Sequence, residues 1–469
     1  MQTHNRTLES PIAAISVLCI LLGALWYFVP HPVVIIAAGL LPMATLLVFK
    51  LPFPMVLLFV IFSFFRLHEV FPVLMPLKIP LLLSLASLTA LAWHVGISQK
   101  IKPYWREELT ILSGFFLLVI VGVVMARNPA IAMTYFSNIY WKIALMTFAI
   151  AWLTRNERDF SLASLVITVS GLLVSLVALY NKANAIGLVE GTRVTIGRAI
   201  GSVLGDPNDL ALVLMFPISF ALSLALNNKL GRTSRWLGYI CVPVLFSAVV
   251  ATQSRGGLLG ILAVCGVFAY RRIRSKTLFL VLGLFAALLL YFAAGISGRA
   301  SGGAAEAGID ASAQGRLYAW EAAFGMAIDN PLTGVGLDNF YANYFYYSPH
   351  WDGLNHAVHS TWFGVLAETG FLGLGVFVAM IILLIKTTLR CLTRIEAQPE
   401  VNATLQACTQ AVLAGLIGTA ISGTFLTQGF TWPIYILAAL VVAIAHWTDN
   451  HLDKPGDFSN SKETSLCTR

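Results

Sequence analysis

His359 is the residue whose type and setting best suit proton transfer. It stands in Asn355-His356-Ala357-Val358-His359-Ser360-Thr361-Trp362, at the entrance to a long apolar run. An imidazole titrates near neutral pH and can accept a proton from a hydroxyl. The plainer alternative is an interfacial histidine with no chemistry. His356, three residues earlier, has the spacing of a metal pair. No carboxylate lies between the two and no third ligand is evident, so no metal is expected.

Four arginines and one glutamate complete the candidate set. Arg255, in Thr252-Gln253-Ser254-Arg255-Gly256-Gly257, lies between two apolar runs that meet with almost no polar connection. It reads either as a snorkelling anchor or as an anion ligand beside a helix start, where free N–H groups and two glycines let a phosphate approach. Arg198 precedes Asp206-Pro207-Asn208-Asp209, a turn and N-cap signal in which Asp206 and Asn208 have the types of capping residues. Arg193 is a nearby competitor for the role of Arg198, and Arg316 opens an aromatic-rich segment. Glu368, nine residues beyond His359, is an acidic residue in apolar surroundings that either braces an arginine or a helix end or is neutral and merely tolerated. Arg198, Arg255, Arg316 and His359 map to one membrane face. Arginines with one base suit a substrate carrying a diphosphate.

These residues need a scaffold, and the composition names its solvent. Hydrophobic residues make up 58% of the 469-residue chain and charged ones 11%. Soluble domains carry roughly a quarter charged residues, so only a bilayer can receive this apolar surface. The expected fold is all-α, a polytopic bundle of 12–14 transmembrane helices. Fourteen apolar runs are candidates, from Pro11–Val29 to Thr431–Trp447; Pro42, Pro52 and Pro54 break the second and third, and Gly256–Tyr270 is short.

With the N-terminus inside and every run crossing, cytoplasmic segments hold twenty of the 30 Lys and Arg residues. This bias predicts cytoplasmic termini. It also accounts for the net charge of +8 without nucleic acid. The run Pro11–Val29 lacks a small-residue cleavage site and reads as a retained first span. Six cysteines without a CxxC pair indicate neither a disulfide framework nor a thiolate metal site.

Two long outer segments stand out, Asn181–Pro207 and Ser297–Val358. Long loops of this kind are usually functional when they are not disordered. The second opens with a Gly/Ala-rich stretch, Ser297–Ser312, which reads as a mobile hinge. It then becomes aromatic, with a surface helix expected over Gln314–Ile328 and stopped by Asp329-Asn330-Pro331. The organisation expected is N-terminal spans over 1–180, a catalytic region over 181–390 that includes loop 297–358, and C-terminal spans with a tail over 391–469. No internal repeat is visible, which disfavours a transporter such as a lipid-linked oligosaccharide flippase.

Several motifs together resemble the O-antigen ligase family. They are Arg198…Gly201…Pro207-Asn208…Leu210-Ala211, Ser254-Arg255-Gly256-Gly257, Gly315-Arg316-Leu317-Tyr318-Ala319-Trp320, Asp329-Asn330-Pro331-Leu332-Thr333-Gly334-Val335-Gly336 with Asn339-Phe340, His359-Ser360-Thr361-Trp362, and Glu368-Thr369-Gly370-Phe371-Leu372-Gly373-Leu374. The resemblance runs from about Arg198 to Phe377. It implies a metal-independent, cofactor-free, inverting glycosyltransferase of the bacterial inner membrane. Such an enzyme moves a glycan from undecaprenyl diphosphate to a glycolipid, glycan or protein acceptor at the periplasmic face. Polysaccharide polymerases and protein O-oligosaccharyltransferases share the pattern. The resemblance implies His359 as base and Arg198 and Arg255 as diphosphate ligands. Arg316 would position a phosphate, with Arg193 and His356 as further substrate contacts and Glu368 supporting the His359 helix or the substrate.

Overall fold

The computed structural model describes residues 6–29, 31–293, 311–398 and 400–452, and each of the fourteen apolar runs forms a helix. In lipid every backbone N–H and C=O must be satisfied within the segment, which leaves the helix as the open choice for such runs. The first half comprises α1 (Arg6–Phe28), α2 (Pro32–Lys50), α3 (Pro52–Phe64), the single turn α4 (Leu67–Val70), α5 (Ile79–Ala92), α6 (Glu107–Val124), α7 (Pro129–Tyr135), α8 (Trp141–Leu153) and α9 (Glu157–Ala183). The second half comprises α10 (Pro207–Leu226), α11 (Arg232–Thr252), α12 (Arg255–Tyr270), α13 (Lys276–Ala293), α14 (Ala311–Asp329), α15 (Phe340–Tyr347), α16 (Thr361–Glu396), α17 (Ala403–Ser422) and α18 (Trp432–Leu452).

Among the described residues, nine helical segments are long and apolar enough to cross a membrane. The bent pair Ala38–Lys50 and Pro52–Phe64, together with three shorter apolar helices, accounts for the rest of the fourteen runs. The pair meets at 99°. Pro52 begins α3, where a missing N–H costs nothing. Of the Gly/Ala-rich stretch, residues 297–310 lie outside the described residues. The helix expected over Gln314–Ile328 is α14, and it ends at Asp329 as the Asn-Pro signal requires. Five cysteines are free, and Cys467 lies outside the described residues.

Helices α10 and α18 are buried along most of their length and form the centre of the bundle. Small residues let their neighbours approach closely. A Cβ on Gly238 of α11 would lie 2.4 Å from the Ala225 nitrogen of α10, so these two helices meet backbone to backbone. At the end of the bundle away from the long loop, ion pairs tie three helices together. Arg106, preceding α6, reaches Glu108 at 3.0 Å and Asp449 of α18 at 2.5 Å, while Arg394 of α16 reaches Asp449 at 2.6 Å.

The outer end is organised by a break in α16. Its 36 residues would extend about 54 Å as one rod, against roughly 30 Å of hydrocarbon. The rod is interrupted at Gly370, with φ 70° and ψ −172°, a conformation essentially confined to glycine. The segment after α14 docks into this break. Phe371 N–H donates to the Pro331 carbonyl at 2.8 Å, and Val335 N–H donates to the Ala367 carbonyl at 2.8 Å. A Cβ on Gly370 would stand 2.4 Å from the Pro331 oxygen, and one on Gly334 would stand 2.3 Å from the Ala367 oxygen. The motif glycines around 334 and 370 are thus two halves of one joint.

We expect Gly370→Ala to cost at least about 2 kcal/mol, from dihedral strain of about 1–3 kcal/mol with steric overlap added. Thermal unfolding in detergent should show a lowered midpoint, and limited proteolysis should cut the 330–340 segment faster. Unchanged melting and cleavage would mean that this joint does not hold the loop.

Candidate active site

His359 is fixed from both sides by its neighbours. Trp320 of α14 stacks on Phe363 with ring centroids 5.0 Å apart, and its indole N–H donates to the Val358 carbonyl at 3.1 Å. On the other side, Thr361 N–H donates to the Gly423 carbonyl at 2.7 Å, and its hydroxyl donates to the Leu426 carbonyl at 2.6 Å. Between these anchors His359 takes a left-handed backbone, φ +45°. That conformation is uncommon for a non-glycine residue, although histidine is among the types enriched there. It turns the chain just before Ser360, the N-cap of α16.

The imidazole is partly buried, and burial is the main reason its pKa falls below the ordinary 6.5. Nearby charges add to this: Arg316 lowers it, Asp206 raises it, and His356 and Arg193 lower it further. The neutral, proton-accepting form therefore persists to lower pH than in a free histidine. Arg316 lies over the Phe425 ring, 5.7 Å from its centroid.

A hydrogen-bonded hub orients the second arginine. Arg193 is buried; its Nε donates to the Thr252 carbonyl at 3.1 Å and its Nη2 to Asn208 Oδ1 at 3.1 Å. The same Asn208 oxygen accepts from the Ser254 hydroxyl at 2.9 Å, and Ser254 Oγ in turn accepts from Gly257 N–H as the N-cap of α12. Arg255 is the first residue of that helix. Arg193, Asn208, Ser254 and the start of α12 thus form one unit at the end of α11.

Several sequence expectations change here. Gly256 and Gly257 do not open space for a phosphate. A Cβ on Gly256 would stand 2.9 Å from Leu426 Cγ, and one on Gly257 would stand 2.5 Å from Ala211 Cβ, so both serve helix packing. Asp206 does cap α10, accepting from Asn208 N–H at 2.7 Å and Asp209 N–H at 3.3 Å. Asn208 does not merely cap; its side chain is the hub. Arg198 is exposed and turns back on its own loop, where its Nη1 donates to the Gly205 carbonyl at 3.2 Å. Its competitor Arg193 is the one whose charge bears on His359.

Glu368 is buried, and both its oxygens accept from backbone N–H groups, Asp338 at 2.8 Å and Phe340 at 3.5 Å. It therefore secures the loop to α16, as the brace for a helix end that its apolar setting required. His356 lies beside Asp352, with Nε2 3.0 Å from each carboxylate oxygen. Among the described residues no group of three or more His, Cys, Asp or Glu side chains could hold a metal ion. The sequence reading missed Trp320 as the clamp on Val358, because one aromatic among the ten of that segment carries no signal for this role.

Comparison with known proteins gives one result. The family model described as O-antigen ligase matches residues 240–378, from within α11 into α16. No curated protein matches the chain. The matched stretch contains Arg255, Arg316, His356, His359 and Glu368, whereas Arg193, Arg198 and the Asn208 hub precede it.

Asn208→Leu should destabilise the fold by about 1–3 kcal/mol, since it strips a buried guanidinium and a buried hydroxyl of their shared acceptor. Thermal unfolding should register the loss, and Asn208→Asp should recover much of it. Wild-type stability in the leucine variant would remove Asn208 from the hub.

Proposed function

We propose that this chain, O-antigen ligase-like through residues 240–378, transfers a glycan from an undecaprenyl-diphosphate carrier to an acceptor hydroxyl at the periplasmic face of the inner membrane. The observation that carries the reading is His359. A partly buried base with a depressed pKa stands beside Arg316 and Arg193 at the entrance to a membrane helix. The basic-residue bias supports cytoplasmic termini, which puts this end of the bundle outside.

In the reaction the acceptor oxygen attacks the anomeric carbon from the face opposite the diphosphate. The new C–O bond forms as the bond to the diphosphate oxygen breaks, which inverts the anomeric configuration. The leaving diphosphate takes the electron pair, and His359 takes the hydroxyl proton. Arg193, Arg255 and Arg316 offset the charge that develops on the diphosphate. Fixed cations matter most where water is scarce and screening is weak. Arg198, from its exposed loop, meets the same group on substrate entry, and His356 borders the acceptor side. Glu368 acts through the loop it holds and touches neither substrate.

His359→Ala should reduce transfer by about 10²-fold or more while membrane insertion and melting stay at wild-type values. Arg193→Gln and Arg255→Gln should each cost more activity than Arg198→Gln. A normally expressed His359→Ala variant that transfers at the wild-type rate would exclude the base role. Deletion of the gene, followed by gel analysis of surface glycans, identifies the acceptor. Loss of polymer from lipid A–core indicates a ligase, collapse to single repeat units a polymerase, and altered glycoproteins a protein-directed enzyme. Intact glycans of all three kinds would contradict glycosyl transfer.

A further inference from the structure

A groove of about 590 Å³ runs along α12 between α13, α16 and α17. Its walls are apolar, with Leu262 and Val267 of α12, Phe279 of α13, Leu389 of α16 and Leu413 and Ile417 of α17 among them. Arg271 is the one charged residue in its lining, and it follows the last residue of α12, the helix that begins at Arg255. The 16 residues of α12 set these two ends roughly 24 Å apart. The polar end of the groove therefore lies at the membrane face away from the candidate active site.

The groove has the dimensions of a lipid chain. From Leu259 to Tyr270 it follows roughly 16 Å of helix, about one leaflet's share of the hydrocarbon core. Its floor is bare at Gly266, where an added Cβ would meet no atom within 4 Å. Leu259, Leu389 and Ile421 remain exposed along its edges. At the polar end Tyr270 meets Phe279 edge to face, with centroids 5.7 Å apart, and so joins α12 to α13.

That end also carries the densest basic run of the chain, with Arg271, Arg272, Arg274 and Lys276 within one short connection. The first two are committed: Arg271 Nη2 lies 2.6 Å from each oxygen of Glu396, and Arg272 donates to the Leu226 carbonyl. The side chains of Arg274 and Lys276 are exposed and make no ion pair or hydrogen bond among the described residues. Arg106 and Arg394, by contrast, share Asp449 within the bundle. Sorting of basic residues to the inside accounts for a charged connection, but not for an open apolar groove that ends on it.

We propose that this groove binds one anionic glycerophospholipid, with an acyl chain along Gly266 and the phosphate facing Arg274 and Lys276. Basic pockets between transmembrane helices suit such headgroups. A zwitterionic lipid would fill the apolar part equally well, but it would bring an ammonium group beside two cations. The site is separate from the reaction centre, and the inference does not rest on the donor assignment. Bound lipid fills the space between α12, α13 and α17, and so stabilises the bundle by binding the folded state alone.

The test uses the full chain, with native mass spectrometry of retained lipid and thermal unfolding in detergent. The probes are phosphatidylglycerol and phosphatidylethanolamine of matched chains, with undecaprenyl diphosphate as competitor. Wild type should retain phosphatidylglycerol over phosphatidylethanolamine by about tenfold, as two basic side chains at a lipid headgroup imply, and phosphatidylglycerol should raise the melting midpoint more. Arg274→Gln combined with Lys276→Gln should bring the two lipids near parity, without changing the midpoint measured in the absence of lipid. Gly266→Phe should release phosphatidylglycerol by filling the groove. Equal retention of both phospholipids by wild type, or an unchanged preference in the double variant, would overturn the proposal. So would wild-type retention in Gly266→Phe, or displacement of phosphatidylglycerol by undecaprenyl diphosphate at equal concentration.

Discussion

One joint governs the outer end of this protein, where residues 331–340 fill the break in α16. A helix in lipid keeps its backbone satisfied, so opening one at Gly370 exposes groups that need new partners. The loop supplies them through the Pro331 carbonyl and Val335 N–H, and Glu368 returns two acceptors to the loop at Asp338 and Phe340. A buried carboxylate is costly unless hydrogen-bonded, so the two elements depend on each other. Once joined, they press α14 against the start of α16, and Trp320 then holds Val358 next to His359. The position of the base therefore follows from an interlock around Glu368 and Gly370, nine to eleven residues away in sequence.

The electrostatics of the site work in one direction. Burial and the positive field of Arg316 and Arg193 both favour the neutral imidazole. The same field favours a diphosphate beside it. On the proposed function, a cluster that offsets an anionic leaving group also keeps its base neutral without a carboxylate partner. Asp206 is the one opposing charge among the groups that bear on His359, and it is committed to capping α10.

Much of this was legible in the residues. Apolar runs gave the fourteen long apolar helices, though not the short α4, α7 and α15, since in lipid length and composition leave few alternatives. Asp329-Asn330-Pro331 fixed the end of α14, and Glu368 announced itself as a carboxylate in an apolar setting. What escaped was pairwise. Arg193 and Arg198 lie five residues apart in one polar loop, and spacing there has no period to say which turns inward. Gly256 and Gly257 looked like room for a ligand because a missing side chain reads the same whether a phosphate or a helix fills the gap.

The central claim is that a neutral His359, kept so by burial and by Arg316, accepts the proton. The pH dependence of single-turnover transfer tests it most directly. A lowered pKa means that activity should persist below 6.5 and fall only as the imidazole gains its proton at lower pH. Arg316→Gln, by removing a like charge, should move that acidic limb upward. An acidic limb at or above pH 6.5, or a limb that stays in place in Arg316→Gln, would contradict the account.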